Sequence, residues 1–456
     1  HIRSNEFTEL NLSDGLANHG GQISSAGQLS IHDNQQNTLS IRNLGEILAG
    51  EDARIQAQSL ANSGRLAAGR DLSIALQHNF SSQADIEAGR RLSIESAGRL
   101  NNRHTLQGGE SVHLSATDID NSAGGNIQSG STTHLSAAQS LSNRGLINSN
   151  GLTLIEAGTT LLNSGSGRIY GNHVALAATD LINRDEQEKS AAIAARRQLD
   201  IGAQNITNQE GTLLSSEGRL NIGGRLGNTH EAEGSAHLLD NNGAEILSQS
   251  DMQLAADTLL NRNSNYRSSH KEVAGSRKQV MEYVMSDRGY TFNEQDASLR
   301  IYTESDISHR AGYDSLVLKD GSYHEDYTRT HYTQYDVKTT VDSSRPARIV
   351  AGGSLRISGA DLTNDKSHIL AAGELYLPSA EIKNLDDETA KYVTVKTGAW
   401  RDFHHVYYNN WGKKKDGYQG RAAPADAETI KEPNYKLNIF KTQSHYTGNT
   451  ALAPLD

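Results

Sequence analysis

The chain of 456 residues has no cysteine, which excludes disulfide staples and thiolate chemistry alike. Proline is nearly as scarce, with five in all and the first at Pro346. A long proline-free stretch suits stacked strands, where every backbone N–H is needed for a ladder. No apolar run approaches the roughly 18 residues that a membrane-spanning helix requires. Apolar residues make up 35%, below the ordinary globular share of about 45–50%. The formal net charge of −11 argues against nucleic acid as a partner. No signal-peptide pattern precedes His1, so the sequence reads as a processed or excised piece of a larger exported protein.

Catalytic motifs are missing too. His230-Glu231-Ala232-Glu233-Gly234 opens like a zinc-protease helix, but Gly234 stands where the second histidine would be. His404 and His405 are adjacent, so in a strand they point to opposite sides and do not share a metal. There is no nucleophile elbow, phosphate loop or calcium nonapeptide. Asp118 and Asp120 come nearest to a carboxylate pair and read as corner residues. No enzyme, cofactor or metal is expected.

What the chain does have is a short unit repeated many times. A strand of the form apolar-x-apolar recurs as Leu72/Ile74, Leu92/Ile94, Val112/Leu114, Leu152/Leu154, Val174/Leu176, Leu199/Ile201 and Leu220/Ile222, with Leu135 filling the gap before Leu154. An apolar-x-Asn element follows each, placing corner asparagines at Asn62, Asn102, Asn121, Asn143, Asn163, Asn183, Asn208 and Asn228. A third apolar residue falls shortly before a glycine, as at Ile47, Leu66, Ile86 and Ile127. Three short strands per unit of about twenty residues make a triangular coil. One turn cannot cover its own inward side chains, so neighbouring turns must stack to form a core. Asparagine suits the corners because it tolerates left-handed backbone, and stacked amides can hydrogen-bond along the column. The fold class is all-β, a parallel β-helix.

The phrases Ala68-Gly-Arg-Asp-Leu-Ser-Ile74 and Ala88-Gly-Arg-Arg-Leu-Ser-Ile94, with the Leu-x-Asn corners between them, resemble the filamentous haemagglutinin repeat. That family comprises exoproteins of bacterial two-partner secretion, among them adhesins and contact-dependent growth inhibition toxins. The resemblance spans roughly residues 20–262 and returns at Ala351–Asn384. It implies a right-handed coil, export through an outer-membrane transporter, and a monomeric filament at the cell surface.

The sequence divides into a β-helix over 1–262, an insertion over 263–347, resumed coils over 348–390 and an extension over 391–456. Nine of the 17 tyrosines lie in the insertion and six after residue 390; Tyr170 alone precedes residue 263. Both tryptophans, Trp400 and Trp411, sit in the extension. Within the insertion, Ser315–Tyr323 predicts a hairpin around Asp320-Gly321, Thr328–Val341 an exposed strand, and Lys271–Met285 a short helix. A second short helix is expected near Glu186–Arg197, and strands at Tyr392 and Tyr435 are expected to pair and cap the coil. Exposed Tyr and Trp supply rigid contact area with a polar handle. The candidate receptor contacts are therefore Tyr323, Tyr327, Tyr332, Tyr335, Trp400, Tyr407, Tyr408 and Trp411. The resemblance implies that such a break in the repeats contacts an outer-membrane protein or surface glycan of a neighbouring bacterium. A host-directed adhesin and a carbohydrate-active β-helix enzyme are the alternatives.

Overall fold

Alternation of inward apolar and outward polar residues drives each strand into place, because successive side chains of an extended backbone face opposite sides. The computed structural model describes residues 1–34, 37–285, 302–309, 316–319, 321–389, 391–408, 410–412, 414–422, 429–430 and 435–436. These divide into two compact units, one formed by 1–266 and 344–386, the other by 267–343 and 387–441.

The first unit is a parallel β-solenoid of about 17 turns with roughly 21 residues per turn. Arg65–Ala68, Asp71–Leu76 and Phe80–Ser82 pair in parallel with Ile86–Ala88, Arg91–Ser96 and Arg99–Asn102 one turn on. The register sets Leu66 on Ile86, Leu72 on Leu92, Ile74 on Ile94 and Phe80 on Leu100. All eight side chains are buried in one continuous core. Each contributes roughly 1.5–3 kcal/mol before ordering entropy is set against it.

One stretch is a residue out of step with the sequence reading. Thr153 and Ile155, not Leu152 and Leu154, continue the inward rows of Thr133 and Leu135. Ile155 then stacks on Leu176. Leu154 points outward, yet it is buried beside Ala175 in the next turn. A shift of one residue exchanges the faces, and three apolar residues in four left the register ambiguous.

Both expected helices are strands. Asp185–Glu186 and Lys189–Ser190 form a hairpin, with Gln187 and Glu188 at φ +53° and +60° in the turn. Ala192–Gln209 then joins the ladder with Ile193 on Ile169. Lys271–Met285 is likewise two strands, Arg267–Glu272 and Lys278–Met285, on either side of a turn at Gly275. In each case pairing with a waiting strand overrides modest local helix propensity. Among the described residues the only helical turn is Glu304–Asp306.

The solenoid resumes after the insertion without loss of register. Ile246 pairs with Ile349, Met252 with Leu355 and Leu259 with Leu362.

Candidate functional site

The second unit is built on one long strand, Tyr327–Ser343, whose alternating Thr, Tyr and Val favour extended backbone. Arg267–Glu272 and Lys278–Met285 pair along one edge, and Lys391–Tyr408 along the other, all antiparallel. Lys414–Ala422, Thr429–Ile430 and Tyr435–Lys436 line the far edge of Lys391–Tyr408. The insertion and the C-terminal extension, distant in sequence, thus share one sheet. Thr328–Val341 is interior to that sheet and not an exposed strand.

Cross-strand register separates the two faces of this sheet. On one face Tyr327 stacks on His404 with ring centroids 4.8 Å apart, and Tyr283 lies 5.9 Å from Tyr327. Leu316 closes this cluster. It belongs to a three-stranded sheet of Ile307–His309, Leu316–Leu318 and Tyr323–His324. Leu316–Leu318 and Tyr323–His324 form the expected hairpin, with Gly321 at φ +86° in its turn. Ser315 and Asp320 lie outside the described residues.

On the opposite face Tyr332 donates its hydroxyl to Glu282 at 2.5 Å, and Lys396 reaches the same carboxylate oxygen at 2.9 Å. The Lys396 ammonium also stands 4.3 Å from the centre of the Tyr332 ring. Burial, reinforced by the hydrogen bond to Glu282, pushes the Tyr332 phenol well above its usual range. Asp336 accepts from the Tyr392 hydroxyl at 2.9 Å and from Thr394 at 2.7 Å.

The candidate contacts therefore part company. Tyr327 and Tyr332 are corrected to core residues, because the strand carrying them is paired on both edges and covered by neighbouring side chains. Tyr335 is half-buried beneath the Arg277 guanidinium, 4.3 Å from its ring. Tyr323, Trp400 and Trp411 remain open to solvent, at 40%, 47% and 89%. Trp411 occupies the turn between Lys391–Tyr408 and Lys414–Ala422. Trp400 follows a bulge at Gly398, whose φ of +65° suits glycine. The backbones of Tyr407 and Tyr408 pair with Lys415 and Lys414, while their side chains lie outside the described residues. Arg277 and Tyr283 escaped the sequence reading, since neither falls in an aromatic cluster.

The solenoid's own polar column is built from asparagines. Amide-to-carbonyl bonds of 2.7–2.9 Å run from Asn102 through Asn121, Asn143, Asn163, Asn183 and Asn208. They continue through Asn241, Asn261, Asn364 and Asn384. A shorter run links Asn18, Asn43 and Asn62. Ser82 stands between the two runs and bonds instead to the Ala84 carbonyl. Asn228 is corrected: it is exposed, in a hairpin of Arg225–Leu226 with Ala232–Glu233, and Asn241 fills the column in its place.

Asp118 and Asp120 share a strand, and each carboxylate faces a neighbour of its own. Asp118 accepts from the Ser140 hydroxyl at 2.5 Å, and Asp120 faces Arg144 at 3.9 Å. No cluster of three or more His, Asp and Glu suited to a metal occurs among the described residues.

The haemagglutinin repeat family matches residues 8–104, 100–186, 175–230, 216–274 and 326–384. A similar protein is "tRNA nuclease CdiA" of Escherichia coli (strain STEC_O31), 23% identical over 345 residues. That alignment covers 75% of this chain but 10% of the relative, so the chain spans about a tenth of the longer protein. No solved structure matches. With family matches along most of the solenoid and the repeat register visible turn by turn, the chain belongs to the haemagglutinin repeat family.

Proposed function

We propose that this chain is the receptor-contact segment of a secreted bacterial surface filament, used in contact-dependent growth inhibition. The solenoid serves as the stalk, and the antiparallel sheet engages an outer-membrane protein or surface glycan on a neighbouring bacterium. The carrying observation is the exposure of Tyr323, Trp400 and Trp411 in a unit that interrupts the repeats. Large exposed aromatics of this kind are the side chains that dominate recognition energies. Membership of the repeat family and similarity to a protein named as a CdiA support the bacterial setting.

Binding of the labelled full chain to intact bacteria tests the proposal. Replacing Tyr323, Trp400 and Trp411 together by alanine is expected to weaken attachment by about tenfold or more. The strand signature in circular dichroism should be unchanged. Attachment as strong as that of the parent chain would remove the sheet from the recognition role.

A further inference from the structure

Strands of the solenoid also carry outward rows, and on one of its three faces these rows change character partway along. Over the earlier turns they are polar, with Thr105 and Gln107 followed by Asn126 and Gln128. Leu146 starts an apolar stretch directly above Asn126. Tyr170, Ala194, Ser215, Leu247 and Val350 then lie one above another. Two residues earlier on the same strands, Arg168, Ala192, Leu213, Glu245 and Arg348 form the companion row. His368 and Leu370 end the two rows. Tyr170, the one tyrosine that precedes residue 263, belongs to this face.

The other two faces differ over the same turns. One mixes Ile182 and Leu260 with Asp180, Asn205, Asp240 and Asp361. The other is partly covered by the Arg225–Glu233 hairpin, whose backbone leaves no room for a Cβ on Gly202 or Gly223. Only the face of Tyr170 is both apolar and uncovered by a hairpin of the solenoid. Its leucines and Tyr170 are half-buried, and Val350 is buried. The charges along it are unevenly paired. Glu245 bonds Arg348 at 3.3 Å and keeps 38% of its side chain exposed. Arg168 donates to the carbonyls of Gly167 at 2.9 Å and Ser190 at 3.0 Å, and no carboxylate among the described residues neutralises it.

From this arrangement we infer that two copies of the chain pair through this face, running antiparallel. A twofold axis parallel to the strands, between the turns of Ala192 and Leu213, sets each turn against a counterpart in the other copy. Arg168 of one copy then meets Glu245 of the other, Tyr170 meets Leu247, and Ala192 meets Leu213. Each contact occurs twice, as a twofold interface requires. Sliding by one turn sets Arg168 against Arg348 or against Leu213, and running the copies parallel sets it against Tyr170. Only one register pairs the ions. Charge therefore selects the alignment, while the apolar row supplies the buried surface. Eight turns, from Gln128 to Leu370, give a contact about 35 Å long. Two rows of that length bury roughly 900 Å² in total, which is small for a specific interface and marks the pairing as transient. A dissociation constant on the order of 10–100 µM is expected.

Sedimentation equilibrium of the full chain over roughly 1–500 µM, a range that brackets the expected constant, tests this inference. The mass should pass from one copy to two. Tyr170→Asp should weaken pairing about tenfold or more, and Arg168→Gln about threefold, with unchanged thermal unfolding. Because the chain has no cysteine, single introduced thiols report the register. In the antiparallel pair Gln128 of one copy faces Leu370 of the other, while the two copies of Gln128 are about 34 Å apart. A short bis-maleimide should therefore link Gln128→Cys chains to Leu370→Cys chains and leave either variant alone unlinked. A single copy at every concentration, equal pairing by Tyr170→Asp, or links among Gln128→Cys chains alone would each overturn the assignment. The aromatic sheet contributes no residue to this face, so the Tyr323/Trp400/Trp411 variant should pair normally. Failure of the receptor reading is thus separable from failure of this one.

Discussion

Asn261 donates its side-chain amide to Asn364 at 2.8 Å, as any two neighbours in the column do, although the two are 103 positions apart. The column therefore treats the chain between them as an interruption of sequence and not of structure. Each interior asparagine both donates to and accepts from its neighbours. Asn143 accepts from Asn121 and donates to Asn163. Asn143→Ala should leave two buried amide groups short of a partner, at about 1–3 kcal/mol each. Asn228→Ala should cost under about 0.5 kcal/mol, since that side chain is exposed and outside the column. A stacked array need not unfold as one unit. Hydrogen exchange along Asp118–Asn183 is therefore the suitable measurement, and equal protection in the two variants would show the column to be dispensable.

Glycine carries a second kind of constraint. Gly50, Gly69, Gly89 and Gly109 stack at one corner, and a Cβ on any of the last three would run into the carbonyl oxygen of the glycine one turn earlier. The obstacle is backbone, which cannot swing aside as a side chain can. Gly89→Ala should therefore destabilise by about 1–3 kcal/mol through overpacking. Gly234→Ala meets no neighbour, but its φ of +68° gives a strain cost of about 1 kcal/mol. Chemical denaturation ranks the two, and a reversed order would contradict the close-approach explanation.

These corners explain why the solenoid was legible in sequence while the contact surface was only partly so. Inward apolar residues, asparagines and glycines recur at fixed offsets, so their period reports the architecture directly. The lapses occur where an excursion or a doubled apolar signal disturbs the count. The Arg225–Glu233 hairpin displaced the corner from Asn228 to Asn241, and the run Leu152-Thr-Leu-Ile155 concealed which parity faces inward. In the sheet, residue type alone marks a tyrosine as a possible contact. Burial of Tyr327 and Tyr332 depends on strands from both segments closing around Tyr327–Ser343, a non-local pairing that no short pattern encodes.

Acid should loosen the Arg225–Glu233 hairpin through Asp200. Burial alone would raise the carboxyl of Asp200, but hydrogen bonds from His173, the Ala232 N–H, Asn221 and Gln198 outweigh it and hold the group below its ordinary value. A depressed carboxyl contributes stability that is present above the unfolded value of about 3.9 and is lost as pH falls through the folded value. Protection of the Ala232 amide against exchange should thus be steady from neutral pH to about pH 5 and decline below pH 4. Asp200→Asn should remove that decline. A pH response identical in the variant would assign the loosening to other carboxylates.

Tyr332 and Trp411 offer the sharpest separation of packing from recognition, because both are aromatic residues of one unit with opposite exposure. Tyr332→Phe keeps the ring beneath Lys396 but withdraws the hydroxyl from Glu282. Lys396 still pairs with Glu282, so the carboxylate is not abandoned and the loss should be about 1–2 kcal/mol of stability. Attachment to bacteria should be unaltered, since Tyr332 is only 4% exposed. Trp411→Ala should do the reverse. A side chain 89% exposed has little packing to lose, so the melting temperature should hold while attachment falls by about tenfold if Trp411 is a principal anchor. Should Tyr332→Phe abolish attachment at an unchanged melting temperature, the buried Glu282–Tyr332–Lys396 face would be the recognition surface, and the exposed tryptophans would be bystanders.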